Sequence, residues 1–219
     1  MKYNYIFWDF NGTILDDVEL CLNLLNGMLK KRNLPIVSKD KYLHIFGFPV
    51  IEYYKRAGLT FENESFESMA VDFIDKYQPA SYACSLYSGI RELLAFNKEK
   101  GIKQILLSAS EINNLLDQVK HFKIDSYFDA CLGLDNIHAT SKIEIGQDYI
   151  ENNQIDRSYA VMIGDTLHDK EVADALGIDC ILVSNGHQAY DVLNVVDNTV
   201  VRSIEELKEL IGGCCNDGK

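Results

Sequence analysis

No apolar run in this 219-residue chain approaches the roughly 20 residues a helix needs to cross a bilayer. A membrane-spanning protein is therefore not expected. No secretory signal precedes the first apolar stretch, and none of the cysteines (Cys21, Cys84, Cys131, Cys180, Cys214, Cys215) belongs to a C-x-x-C pair. Cysteines scattered in this way read as free thiols in a reducing compartment, so the expected location is cytoplasmic. The Cys214-Cys215 pair has no histidine nearby to complete a site for a soft metal. Basic runs are missing too. Lys and Arg number 21 against 33 Asp and Glu, a formal net charge of -12, which argues against nucleic acid or an anionic membrane as partner. An anionic substrate stays open, provided a metal or a local lysine reverses the field inside one cleft. Internal repeats and low-complexity tracts are absent as well. The length suits one core, or a core with an inserted subdomain.

What is present begins at once. The run Tyr3-Asn4-Tyr5-Ile6-Phe7-Trp8 has strand composition, ends at Asp9, and is followed by the turn-forming pair Asn11-Gly12. In an α/β fold that junction is the carboxyl end of a buried strand, where ligands bind. Asp9 is the candidate nucleophile.

Downstream, Val18, Cys21, Leu22, Leu25, Met28 and Leu29 recur at helical spacing. Asn33-Leu34-Pro35 breaks that helix. Short helices are predicted over 38–45 and 50–57, on either side of the bend Phe46-Gly47-Phe48-Pro49, and a longer one over 61–77, stopped by Pro79. From Ser88 the texture alternates. Ser88 is expected to cap a helix ending near Gly101, followed by strand 104–107 and the polar run Ser108-Ala109-Ser110, with Ser110 capping the next helix. Strand 130–134, helix 141–152, strand 159–163 ending at Gly164-Asp165, a helix to Gly177 and strand 180–183 come next. A Ser203–Glu206 capping box opens the last helix, 204–211. The alternation implies an α/β class: a Rossmann-like parallel sheet with helices on both faces, and an inserted all-α cap. The expected division is 1–15 and 88–219 for the core and 16–87 for the cap, which would stand over the strand ends as a lid.

Three strand ends thus carry Asp9, Ser108-Ala109-Ser110 and Gly164-Asp165-Thr166-Leu167-His168-Asp169, with Lys142 between the last two. In this order and at these strand ends, the motifs resemble the haloacid dehalogenase superfamily, in the phosphoglycolate-phosphatase-like branch with a helical, C1-type cap. The first family motif is D-x-D-G-T. Asp9-Phe10-Asn11-Gly12-Thr13 matches it except at Asn11, and Ile143 stands where a proline often follows the family lysine. The resemblance implies a Mg²⁺-dependent phosphatase acting on a small phosphorylated metabolite through an aspartyl-phosphate. Asp9 would be the nucleophile. Asp9, Asp165, Asp169 and the backbone carbonyl of Asn11 would hold Mg²⁺, a hard cation suited to oxygen donors. Ser108, the Ala109 amide and Lys142 would hold the phosphoryl oxygens.

Asn11 departs from the pattern where phosphatase relatives have an acid that protonates the leaving alcohol. An amide can neither give nor take that proton, and such help is typically worth ~10²–10⁴-fold. The expected enzyme is slow or selective for leaving groups that need no proton. The alternative is a phosphate-ester-binding or regulatory protein with little catalysis. His168 and His187 are candidates to replace the lost acid, although each also reads as an ordinary surface or helix-start histidine. For specificity the cap offers Phe46, Phe48, Tyr53, Tyr54, Lys55 and Arg56 around its bend, and either cation would suit an anionic substrate. Oligomeric state is not encoded in any feature of the chain.

Overall fold

The computed structural model describes residues 2–134, 141–195 and 198–212, and Cys214 and Cys215 lie outside them. The chain opens with β1 (Tyr5–Trp8) and reaches β2 (Leu15–Asp16) through a turn wound on the Phe10 carbonyl, which accepts the N–H groups of Ile14 and Leu15. Four helices follow: α1 (Val18–Lys31), α2 (Lys39–Ile45), α3 (Val50–Ala57) and α4 (Phe66–Ser81). β3 (Ser85–Leu86) then pairs antiparallel with β2, so the chain enters and leaves the helical stretch through one short ribbon. Next come α5 (Ile90–Glu99), β4 (Lys103–Glu111), α6 (Ile112–His121), β5 (Ala130–Leu134) and α7 (Lys142–Asn152). β6 (Ala160–Gly164), α8 (Leu167–Leu176), β7 (Asp179–Val183), α9 (Tyr190–Leu193), β8 (Thr199–Val201) and α10 (Ile204–Gly212) complete it.

The main sheet is parallel, in the order β5-β4-β1-β6-β7-β8, a Rossmann-like α/β fold. β1 lies at its centre. Ile6 and Trp8 pack into the cluster on one face and Phe7 into the cluster on the other, the alternation forced on a parallel strand covered on both sides. The strand order reverses at β1, so its carboxyl end sits at a topological switch point, where such sheets bind ligands. Trp8 stands level with Leu106 of β4 and Ile163 of β6. That register brings Asp9, Ser108 and Asp165 to the same edge. The helices α1–α4 have an apolar cluster of their own, including Leu25, Leu29, Tyr42 and Met69. Among the described residues, no helix is long and apolar enough to cross a membrane.

Several boundaries differ from those predicted. α4 starts at Phe66, where Ser65 accepts the Ser68 N–H, and it continues through Pro79. A proline so near the end forfeits a bond only in the last turn. Gly89, not Ser88, precedes α5, because that position has φ 80°, a conformation glycine adopts without strain. Ser110 is not a cap either: β4 runs on to Glu111, whose carboxylate accepts the N–H groups of Asn113 and Asn114. Ser203 accepts the Glu206 N–H, but Glu206 reaches Arg202 instead of Ser203, so only half of that capping box forms.

Candidate active site

The carboxylates of Asp9, Asp165 and Asp169 converge, each offering an oxygen within 4.8 Å of the others, and all three are buried. Asp9 is held by β1, its N–H donating to Ile163 O at 2.8 Å. Lys142 reaches the cluster from the first turn of α7. Its Nζ donates to Asp9 Oδ1 and Asp169 Oδ1, both at 2.7 Å. Ser141 fixes that turn through a reciprocal capping box with Glu144. Burial lowers the pKa of Lys142, but Asp169 and Asp9 outweigh it and hold the ammonium above its usual range.

The loops are shaped around the acids. Asp169 Oδ2 caps the start of α8, accepting from Thr166 N at 3.1 Å and Thr166 Oγ1 at 2.8 Å. This needs Gly164, where a Cβ would lie 2.2 Å from Asp169 Cγ. Asp165 accepts from Thr13 Oγ1 at 3.0 Å and from His187 N at 2.6 Å. At Gly12 (φ +75°) a Cβ would lie 2.3 Å from Asp165 Oδ2.

The electrostatics favour a further cation. Burial raises Asp165 to about 8, with Asp9 and Asp169 adding to the rise and His187 opposing it. Burial raises Asp9 to about 6 in spite of Lys142. One ammonium therefore does not satisfy the three carboxylates. An all-oxygen donor set short of positive charge fits a hard divalent ion such as Mg²⁺.

Asn11 is held by a network that sequence reasoning missed. Its Nδ2 donates to Asp17 Oδ2 at 3.0 Å and to Tyr77 Oη at 2.5 Å, and its Oδ1 accepts from Ser110 Oγ at 3.1 Å. Because a carboxylate only accepts, Asp17 fixes which end of the amide faces it. Asp17 occupies the helix-start position of α1 but makes no cap bond with its side chain. It accepts instead from Gly12 N at 2.9 Å, from Tyr77 Oη at 2.6 Å and from His187 Nε2 at 3.1 Å. Burial would raise Asp17, but His187, Tyr77 and Asn11 hold it below the usual carboxylate range. An acid at a helix start reads as a cap, so no sequence signal marked Asp17 or its tyrosine partner.

His187 corrects the surface reading. It is buried, with Nδ1 on Tyr42 Oη at 2.8 Å. Burial would lower its pKa, yet Asp17 first, then Asp165 and Asp9, raise it to about 9. His168 does begin a helix, stacked on Phe48 at 4.5 Å between centroids.

A cleft of about 610 Å³ is lined by the three acids together with Ser108, Ala109 and Lys142. Ser108 is buried and Ala109 exposed. Phe46, Phe48, Tyr53 and Tyr54 line the cleft as expected, whereas Lys55 and Arg56 do not. Lys55 pairs with Glu52 and Arg56 donates to the Glu52 carbonyl.

Comparison with known proteins matches residues 6–183 to the family model of haloacid dehalogenase-like hydrolases. The tyrosine-protein kinase PtkA of Mycobacterium tuberculosis is 27% identical over 212 residues, spanning 94% of this chain and 72% of that protein. The phosphoglycolate phosphatase of Pseudomonas putida is 21% identical over 221 residues, spanning 96% and 79%. Among solved structures, a predicted phosphatase from Clostridium acetobutylicum superposes with a TM-score of 0.80 at 24% identity, covering 97% of this chain and 100% of that one.

Proposed function

Since the chain belongs to the haloacid dehalogenase-like hydrolases, we propose that it is a Mg²⁺-dependent phosphatase that hydrolyses a small phosphorylated metabolite through an aspartyl-phosphate on Asp9. The observation that carries this reading is the buried cluster of Asp9, Asp165 and Asp169 around Lys142 at the switch point of the sheet. Asp9, Asp165, Asp169 and the Asn11 carbonyl would hold the divalent ion, which supplies the positive charge a carboxylate needs to approach a phosphate dianion. Asp9 then attacks phosphorus and the ester oxygen departs with its electron pair. Lys142, Ser108 and the Ala109 amide hold the phosphoryl oxygens as charge develops on them. Water attacks the phosphorus of the aspartyl-phosphate and returns Asp9 as a carboxylate. Asn11 takes no part in proton transfer, so leaving groups stable as anions are favoured.

Residues 16–87 act as the cap in this proposal, and residues 1–15 and 88–219 as the catalytic core. The cap's bend meets the core where Gln188 donates to Phe46 O at 2.8 Å and accepts from Leu167 N at 2.7 Å. A cytoplasmic location belongs to the same reading, supported by free thiols at Cys21, Cys84, Cys131 and Cys180.

The test is phosphate release from a metabolite panel with Mg²⁺ or with chelator. Turnover is expected only with the metal, and Asp9→Asn is expected to abolish it, with radiolabel from substrate trapped on Asp9 by acid quench in the unaltered enzyme. The locked amide of Asn11 favours a second reading, a phosphate-ester binder with little catalysis. Saturable binding of phosphate esters without turnover, in the presence of Mg²⁺, would decide for it.

A further inference from the structure

Resting on the proposed phosphatase reading, we infer that the substrate is an aryl monophosphate, a phosphate ester of a phenol whose ring carries no second anionic group. Two independent features of the cleft point there. The first is its wall. Beyond Lys142 the lining turns aromatic and aliphatic: Phe46 and Tyr53 stand 5.0 Å apart between ring centroids, and Phe48, Val71 and Ile74 extend the surface outward. Those last three are 41%, 60% and 49% exposed. Apolar side chains gathered at a cleft mouth mark a binding surface more often than chance, and a cleft of this volume suits a ring-sized ligand.

The second feature is charge. Among the described lining residues, Lys142 is the one lysine or arginine, and it is committed to Asp9 and Asp169. Asp75 and Glu111 also line the cleft. A substrate with a carboxylate or a second phosphate beyond its reacting group meets these acids, while His187, which also lines the cleft, is paired with Asp17. A neutral ring meets stacking partners.

Asn11 supplies the chemical reason for a phenol. With its amide tied to Asp17, Tyr77 and Ser110, it cannot protonate a leaving oxygen. A phenol ionises near ~10, far below an alkanol, so phenoxide leaves without that proton. The balance is simple. Asp9 forms the O–P bond as the P–O(aryl) bond breaks, and phenoxide carries off the electron pair and takes a proton from solvent. Water then cleaves the aspartyl-phosphate to inorganic phosphate and free Asp9.

The experiment compares phenyl phosphate, cyclohexyl phosphate, 4-carboxyphenyl phosphate and acetyl phosphate on the intact protein with Mg²⁺. Phenyl phosphate is expected to exceed cyclohexyl phosphate in kcat/KM by roughly 10²-fold or more, the worth of a missing general acid in the step that forms phospho-Asp9. The 4-carboxyphenyl ester is expected to lose about tenfold in kcat/KM to charge repulsion. Val71→Lys, a change at an exposed position, should narrow that gap by moving a cation into the mouth. Equal kcat/KM on phenyl and cyclohexyl phosphate, or a preference for the carboxylated ring, overturns the inference. Acetyl phosphate, a good leaving group without a ring, separates the two levels of the argument. Its hydrolysis with no aryl preference leaves the phosphatase reading standing and sinks this one, while no release from any of the four overturns both. A phosphotyrosyl peptide distinguishes the source of the aryl group. Faster turnover of the peptide than of phenyl phosphate supports a protein tyrosine, and the reverse supports a free aryl metabolite.

Discussion

At the residue scale, Asn11 is matched to its surroundings as an amide. Its donor end faces an acceptor-only carboxylate and its acceptor end faces a hydroxyl. Asn11→Asp would set two acids 3.0 Å apart in a part-buried site, so we predict a loss of roughly 1–3 kcal/mol in urea unfolding. The exchange Asn11→Asp with Asp17→Asn keeps the donors and acceptors complementary and should recover at least about 0.5 kcal/mol of coupling. His187 carries a pH signature. Its folded pKa is raised to about 9, against ~6.5 in the unfolded chain. The fold keeps a proton that the unfolded chain loses across that window. The stabilisation is therefore full below ~6.5 and lost as pH rises through about 9. The acids that face the ring are Asp17, Asp165 and Asp9, and Tyr42 faces it as a hydroxyl. In chelator-treated protein, His187→Gln should make this part of the pH–stability curve shallower, read by urea midpoints at pH 6.5 and 9.5, with the remaining fall coming from Asp165, which burial raises to about 8. It should also cost about 3–5 kcal/mol at neutral pH, the usual penalty for breaking a buried pair.

At the scale of elements, the junction from β6 to α8 decides whether the acids meet. Gly164 ends the strand and Asp169 folds back to cap the helix, so one backbone turn positions both Asp165 and Asp169. Gly164→Ala places a methyl group in the Asp169 carboxylate. We predict that this variant loses at least tenfold in kcat, while its far-ultraviolet circular dichroism stays native. The existence and type of the longer elements were legible: apolar spacing marked α1, and the helix expected over 141–152 is α7. The β2–β3 ribbon was not legible, because two residues per strand carry no periodicity. β8 was missed for a similar reason, being three residues long. Ser110 was misread because serine at a strand–helix junction caps as readily as it extends a strand. Only the neighbouring Glu111, with a longer reach, settled which residue capped α6.

For the whole molecule, the concentration of acid at one sheet edge links metal binding to folding. An ion that binds the folded chain stabilises it by about 2.7 kcal/mol at a hundred times its dissociation constant. For a chain of this size that is roughly 5–11 °C in Tm. Mg²⁺ should raise Tm by that order in a thermal melt, chelator should reverse the rise, and Asp165→Asn should abolish the response. The sequence by itself determined the alternating strands and helices, the placement of Asp9, Ser108 and Asp165 after apolar runs, and the absence of an acid at position 11. These are local properties, written in spacing and composition. Only the tertiary structure decided that Asp17, Tyr77 and Ser110 hold Asn11, that His187 pairs with Asp17, that Lys142 bridges Asp9 and Asp169, and that Lys55 and Arg56 stay out of the cleft. Those relations join residues up to 170 positions apart. They depend on how helices stack over a sheet edge, and no short window of the chain records that.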